Sequence, residues 1–351
     1  MPTYAFWNNK GGVGKSYLTF QVACEYALQH PDQNILVIDA CPQANASSML
    51  LGGIDAGDQA LDRFSTQSPL RTISGYVEDR IRSPYVNPRT GSSYAYQVNQ
   101  LNRLVPSNLY LVVGDEQLEI QASRVVGATV PGPQDAWRIV HQWFSDLIAD
   151  VMSSWNNHPA TVFLDCNPSF TIYTELAMSA ADRLIVPFTA DGSSKRAVRT
   201  LLSLLYGVQR NPGAQQSTFY LNSNVFRMTV PNIYSYVGNR LTQNLGPASA
   251  FRTVVNEIGD EIHRIWQANP SRFAIHPVGA QPPRSATEFR RMFQAQIKDA
   301  NTASVVSSAL GIPLRKLTAG PKQLAGRTVP INQTQLDRLQ PNIRDFVQTI
   351  E

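Results

Sequence analysis

The stretch NNKGGVGKS, residues 8–16, constrains this chain more than any other feature. It follows a short β-prone run, TYAFWN at 3–8, and precedes a segment in which Leu18, Val22, Ala23, Tyr26 and Ala27 recur at helical spacing. A helix is expected from Ser16 to His30. NILVIDA at 34–40 is a continuous apolar run ending in a carboxylate, the mark of a strand buried on both faces. Strand, glycine loop, helix and strand make a parallel βαβ unit. A glycine loop at a helix N-terminus aims backbone N–H groups at one point and suits a phosphate. Gly11, Gly12 and Gly14 permit the tight path around Val13. Lys15 is placed to reach the β- and γ-phosphates of a nucleotide, and Ser16, ahead of Tyr17, to offer its hydroxyl to Mg²⁺. The pattern G-x-x-x-x-G-K-[ST] is met except at its first position, where Asn9 stands, and a second lysine, Lys10, follows.

Further buried strands are expected at ATVFLD (160–165) and RLIVPF (183–188), with a helix from Thr171 to Ala181 between them. LYLVV (109–113), STFYLNSN (217–224) and RFAIHPVG (272–279) complete a set of about seven. The fold class is α/β: a doubly wound, mostly parallel sheet between helical layers. Residues 52–106 are rich in Gly, Ser, Pro and Asn and read as an irregular insertion with a short helix near 72–82. The main domain is expected over 1–317. Residues 318–351 form a C-terminal extension: a Pro/Gly-rich stretch, then a helix marked by Leu336, Leu339, Ile343, Phe346, Val347 and Ile350. Pro341 is expected to kink or split that helix.

With 351 residues, 43% hydrophobic and 16% charged, the chain can bury a sizeable core and is not a disordered polyelectrolyte. Its net charge of +4 is compatible with an acidic polymer as partner and is equally ordinary for a soluble protein. Cys24, Cys41 and Cys166 show no metal or disulfide spacing, which fits a reducing cytoplasm. No apolar run reaches the roughly 18 residues of a membrane span, and no signal peptide is visible. The five histidines form no triad or metal set.

The loop K-G-G-x-G-K-[ST] resembles the deviant Walker A loop of the ParA/MinD family of ATPases, and the chain is most similar to the ParA-type partition ATPases. ILVIDACPQANASS (35–48) resembles that family's second motif, D-x-D-P-Q-x-N-x-[ST], and VFLDCNPSF (162–170) its Walker B segment. FYLNSN (219–224) resembles the strand whose asparagine reads adenine, which points to Asn222. AIHPVGAQPPRSATEF (274–289) resembles the late loop around the adenine, which begins here at Pro277. The resemblance implies that ATP or ADP and Mg²⁺ bind at Lys10 to Tyr17, with Ser16, Asp39 and Asp165 serving the metal. It implies that Lys10 reaches the nucleotide of a partner subunit, so that ATP drives a sandwich homodimer. It further implies nonspecific DNA binding and release by a stimulating, ParB-like adaptor, in a cytoplasmic, nucleoid-associated protein.

One position departs from the family. Its second motif carries a second aspartate that positions the attacking water, and here that place is Cys41. A thiol of pKa about 8.5 is a poor base for water at neutral pH. Two functions therefore stand open: a partition ATPase, or a nucleotide-gated dimeric scaffold that binds ATP and hydrolyses it very slowly. A nitrogenase-reductase-like enzyme would need cluster-ligating cysteines that the spacing does not supply. DNA-contact candidates are Lys195, Arg196 and Arg199; Arg290 and Arg291; Arg315 and Lys316; and Lys322 and Arg327. The MinD branch binds membranes through a C-terminal amphipathic helix. Here the terminal helix carries Asp337, Arg338, Arg344, Asp345 and Glu351, a mixed face that does not suit a membrane.

Overall fold

A computed structural model describes residues 1–130, 132–209, 211, 213–241, 248–298 and 302–351; the side chains of 192, 240, 241, 248–252 and 338 lie outside that description. Eight strands form one sheet: β1 (Thr3–Phe6), β2 (Asn34–Ala40), β3 (Ala95–Gln97), β4 (Leu109–Val112), β5 (Ala160–Cys166), β6 (Arg183–Phe188), β7 (Asn232–Leu241) and β8 (Gln294–Lys298). Their order is β3-β4-β2-β5-β1-β6-β7-β8, with only the β3–β4 edge pair antiparallel. Strand residues alternate between two cores. Ala5, Leu36, Ile38 and Leu164 face one, and Tyr4, Phe6, Ile35, Val37 and Phe163 the other. Both faces are covered, which is why these strands read as unbroken apolar runs.

The helix Lys15–Gln29 sits in the second core together with the terminal helix Gln333–Val347. Leu336, Leu339, Ile343, Phe346, Val347 and Ile350 are all buried there. Pro341 lies inside that helix without dividing it. Burial of the apolar stripe against the sheet outweighs the one backbone hydrogen bond that proline cannot donate. Ahead of it, β9 (Gly320–Leu324) and β10 (Arg327–Ile331) form an antiparallel hairpin.

Three sequence expectations change. Residues 217–224 are not a strand: Thr218–Val225 is a helix, because Ser217 caps it by accepting from the Tyr220 N–H at 3.1 Å. Residues 272–279 contribute one bridge, Phe273 to Ile233, rather than a strand. The sheet continues instead through β7, with its aromatic and β-branched run IYSYV, and the short polar strand β8. Residues 52–106 are largely regular, with helices Gly53–Thr66 and Ile73–Arg82 and the edge strand β3. Gly52 and Gly53, at φ 124° and 82°, make the sharp turn between the helix Asn45–Leu51 and the next one. An added Cβ on Gly53 would lie 2.1 Å from the Ala309 carbonyl oxygen.

Candidate nucleotide site

β1 lies between β5 and β6, so the carboxyl ends of β1, β2, β5 and β6 converge on one edge. The loop 8–16 leaves β1 at that edge. The Asn8 side chain anchors it by donating to the Pro187 carbonyl of β6 at 2.7 Å. Gly12 and Gly14 take left-handed φ values of 74° and 78°, which side chains rarely adopt. The Lys15 side chain curls over its own loop and donates to the Lys10 carbonyl at 2.9 Å and the Asn8 carbonyl at 3.3 Å. Burial lowers its pKa against the raising effect of Asp165. Gly12, Lys15, Ser16, Cys41, Cys166 and Ser308 are among the residues around a cavity of about 460 Å³ beside this loop.

Asp39 and Asp165 stand directly opposite each other in the β2–β5 register, and both are fully buried. Asp39 is held by three donors: Cys41 N–H at 3.1 Å, Ser47 N–H at 2.9 Å and the Ser47 hydroxyl at 2.8 Å. Ser47 in turn accepts from the Gly114 N–H at 2.8 Å. Asp165 receives the Thr19 hydroxyl at 3.3 Å on Oδ1, while its buried Oδ2 has no partner among the described residues. Burial raises both carboxyls, Asp39 to about 6 and Asp165, which also faces the Asp39 charge, to about 8. An unpartnered buried carboxylate oxygen beside Ser16 and a second carboxylate is a donor set that fits a divalent cation.

A carboxyl whose pKa is raised by folding contributes stability fully below its unfolded value, about 4. That contribution is lost as pH rises through the folded value, about 8 for Asp165. The nucleotide-free chain is thus expected to lose stability between about pH 4 and 8 through this pair. Asp165→Asn should raise the melting temperature by a few degrees at pH 8 and much less at pH 5. Equal shifts at both values in thermal unfolding would contradict this.

Cys41 lies at the end of β2, 4% exposed. Burial first, then the charges of Asp39 and Asp165, push its thiol up to about 12. The Lys10 ammonium bonds Asp191, and also the Thr189 hydroxyl at 3.0 Å and the Ser194 hydroxyl at 3.4 Å. Asp191 caps the helix Gly192–Tyr206 through the Ser193 and Ser194 N–H groups. Although partial burial pushes the other way, hydrogen bonds from Lys10, Ser193 and Thr189 hold the Asp191 carboxyl well below the usual range.

The two adenine-side expectations are corrected. Asn222 lies on the helix Thr218–Val225, not on a sheet strand. Pro277 lies at the opposite edge of the sheet from the loop: neighbouring His276 stacks on Tyr234 at 4.0 Å, near the start of β7, and the Val278 N–H donates to Glu351 at 2.9 Å. Asn239, near the end of β7, is the asparagine that meets the phosphate loop, donating to the Val13 carbonyl at 3.0 Å and the Gly14 carbonyl at 3.4 Å. The run IYSYV just ahead of it is the signal that would have located that strand. Asp191 and Ser47 were likewise not among the expected site residues.

The basic candidates separate into two groups. Lys195 pairs with Glu257 at 3.2 Å, Arg199 with Glu261 at 2.9 Å, and Arg290 with Asp260 at 2.5 Å. Arg196, Arg291, Arg315, Lys316 and Arg327 are exposed, and Lys322 is half-buried. No helix among the described residues is long and apolar enough to cross a membrane.

A parallel sheet with a glycine loop after its central strand and two carboxylates on neighbouring strand ends defines the P-loop NTPase class. A family model described as an AAA domain matches residues 1–217, and the chain belongs to that family. An ATP complex of an McdA variant from Cyanothece is 14% identical, with a TM-score of 0.55, over 90% of this chain and 89% of that one. A Borrelia burgdorferi protein described as a plasmid partition protein, bound to AMPPNP, is 14% identical with a TM-score of 0.52 over 99% of both chains. Cobyrinic acid a,c-diamide synthase from Mycobacterium smegmatis, with an ATP analogue and magnesium, is 16% identical with a TM-score of 0.50 over 83% of this chain and 92% of that one. At such identities the likeness is one of fold.

Proposed function

We propose that this chain binds ATP with Mg²⁺ in the loop 8–16, dimerises through that face, and in the dimer binds DNA nonspecifically to position a DNA molecule or another cargo. Gly11 to Tyr17 hold the phosphates, Lys15 neutralises them, and Ser16, Asp39 and Asp165 hold the metal, which supplies charge neutralisation at the β- and γ-phosphates. A stimulating adaptor protein would release the dimer.

The observation that carries it is Lys10. A second lysine in a phosphate loop is not needed for the phosphates of its own subunit, where Lys15 already covers the site. Its side chain is 24% exposed and that of its Asp191 partner 45%, so the pair sits where water or a second subunit can displace it. A cation delivered across an interface stabilises phosphoryl-transfer charge in the way an arginine finger does. Cys41 favours slow turnover, because its thiol stays neutral and cannot act as base. Slow turnover makes the second reading concrete: a nucleotide-gated scaffold whose dimer persists.

DNA retention in low salt is the test. The full chain is expected to retain a random-sequence duplex with ATP and to release it with ADP. Equal retention in both, or none in either, removes the partition reading. A long-lived ATP dimer without DNA retention would leave the scaffold.

A further inference from the structure

We propose that the β9–β10 hairpin, with the short helical turn Leu314–Lys316, is the surface that meets the phosphate backbone of duplex DNA. This rests on the DNA-binding reading above and gives it a location. The segment lies outside the family match, which ends at residue 217.

Charge is the first argument. From Thr302 to Leu336 the chain has four cations, Arg315, Lys316, Lys322 and Arg327, and no Asp or Glu. One tenth of the chain thus carries a charge equal to the net +4 of the whole. None of the four has an ion-pair partner among the described residues. By contrast, Lys195, Arg199 and Arg290 are already neutralised by carboxylates. Charges with no internal partner are the ones that release counterions when they meet phosphates.

Shape is the second argument. In the hairpin register Lys322 lies opposite Val329 and Arg327 opposite Leu324, so both cations leave the ribbon on the pleat face whose Leu324, Val329 and Ile331 pack on the core, Arg327 from its exposed end, while Pro321, Gln323, Thr328 and Pro330 form the other, uncharged face. The Lys322 ammonium reaches the Thr318 hydroxyl at 2.9 Å, which draws this strand's cation towards the segment carrying Arg315 and Lys316. The uncharged face offers no aromatic or branched aliphatic residue to insert into a bilayer, which favours DNA over an anionic membrane.

A physical link to the nucleotide site is the third. Gln21, on the helix that begins at Lys15, donates to the Ser307 hydroxyl at 2.8 Å and accepts from the Leu314 N–H at 2.8 Å. The helix Thr302–Ala309 carries Ser304, Val305 and Ser308 on the cavity beside the phosphate loop and also packs on the hairpin. Whatever moves the phosphate loop therefore acts on the mount of the hairpin.

The experiment is fluorescence anisotropy of a labelled random-sequence duplex, with ATP, across 50–200 mM salt (about one decade of effect per few contacts). It compares the full chain, a quadruple variant (Arg315→Gln, Lys316→Gln, Lys322→Gln, Arg327→Gln) and a control (Arg196→Gln, Arg291→Gln). The four cations account for about 3–4 units of log–log salt slope, so the loss in the quadruple variant should be roughly hundredfold greater at 50 mM than at 200 mM. ATP binding and circular dichroism should be unchanged in that variant. Unchanged DNA affinity in the quadruple variant, or a larger loss in the control, overturns the assignment while leaving the partition reading standing. Failure of the unmodified chain to bind DNA with ATP removes both. Loss of binding to phosphatidylglycerol vesicles with DNA affinity intact would overturn it in favour of a membrane surface.

Discussion

Cys41→Asp is expected to accelerate phosphate release from ATP by about 10²–10⁴-fold, the usual worth of a positioned general base. In the native chain the side chain at this place is a thiol raised to about 12 by burial and by the neighbouring carboxylates, so it is protonated at any physiological pH. It is nevertheless on the cavity that holds the phosphate loop, with Gln43 and Asn45 beside it. Its backbone N–H is already engaged by Asp39, so the strand end is rigid enough to present a substituted carboxylate in a fixed direction. The new group would face two carboxylates, and bound Mg²⁺ would offset part of that repulsion. Steady-state phosphate release with saturating ATP measures the effect. A rate equal to that of the native chain would mean that another group orients the water, and the slow-turnover reading would lose its cause.

Lys10→Ala is expected to abolish ATP-driven dimerisation and to reduce any hydrolysis by about 10³-fold or more, the scale of an arginine finger supplied in trans. The fold should survive, because Lys10 is partly exposed and its carbonyl, which binds Lys15, is retained. Asp191→Asn gives the opposite sign. It keeps a side-chain oxygen for capping the helix Gly192–Tyr206. It removes an ion pair that, at this exposure, is worth up to about 1 kcal/mol. Releasing Lys10 in both subunits of the dimer, up to about 2 kcal/mol in all, should therefore tighten the ATP dimer by up to about thirtyfold. Light scattering across a concentration series reads both variants. A Lys10→Ala chain that doubles its mass with ATP as the native chain does would end the role assigned to this lysine.

Much of the site was legible because strand, glycine loop, helix and carboxylate follow one another within 40 residues. The order of residues dictates that local unit, and parallel pairing brings Asp39 level with Asp165. The adenine side was misread for a physical reason. STFYLNSN has the composition of a strand, but the capping hydroxyl of Ser217 and packing on the neighbouring helix turn it into one turn after another of helix. HPVG follows an apolar run too, yet Phe273 meets β7 at its first residues, which leaves Pro277 at the wrong end of the sheet. The insertion 52–106 was judged by its glycines and serines, and its helices owe their order to burial of Ile73, Tyr76 and Phe64 rather than to local preference.

By itself the sequence determined the α/β class, the phosphate loop, the pair of carboxylates at neighbouring strand ends and the presence of Cys41 beside them. Each of these depends on residues adjacent in the chain or on strands whose apolar runs are unmistakable. Only the tertiary structure decided which asparagine meets the loop, where Lys10 rests and which cations lack partners. Those outcomes rest on contacts between residues distant in the chain, such as Lys10 with Asp191 (|i−j| 181), Asn239 with Val13 (|i−j| 226) and Lys195 with Glu257 (|i−j| 62). Chain entropy leaves such pairings unspecified until the sheet brings the strand ends together.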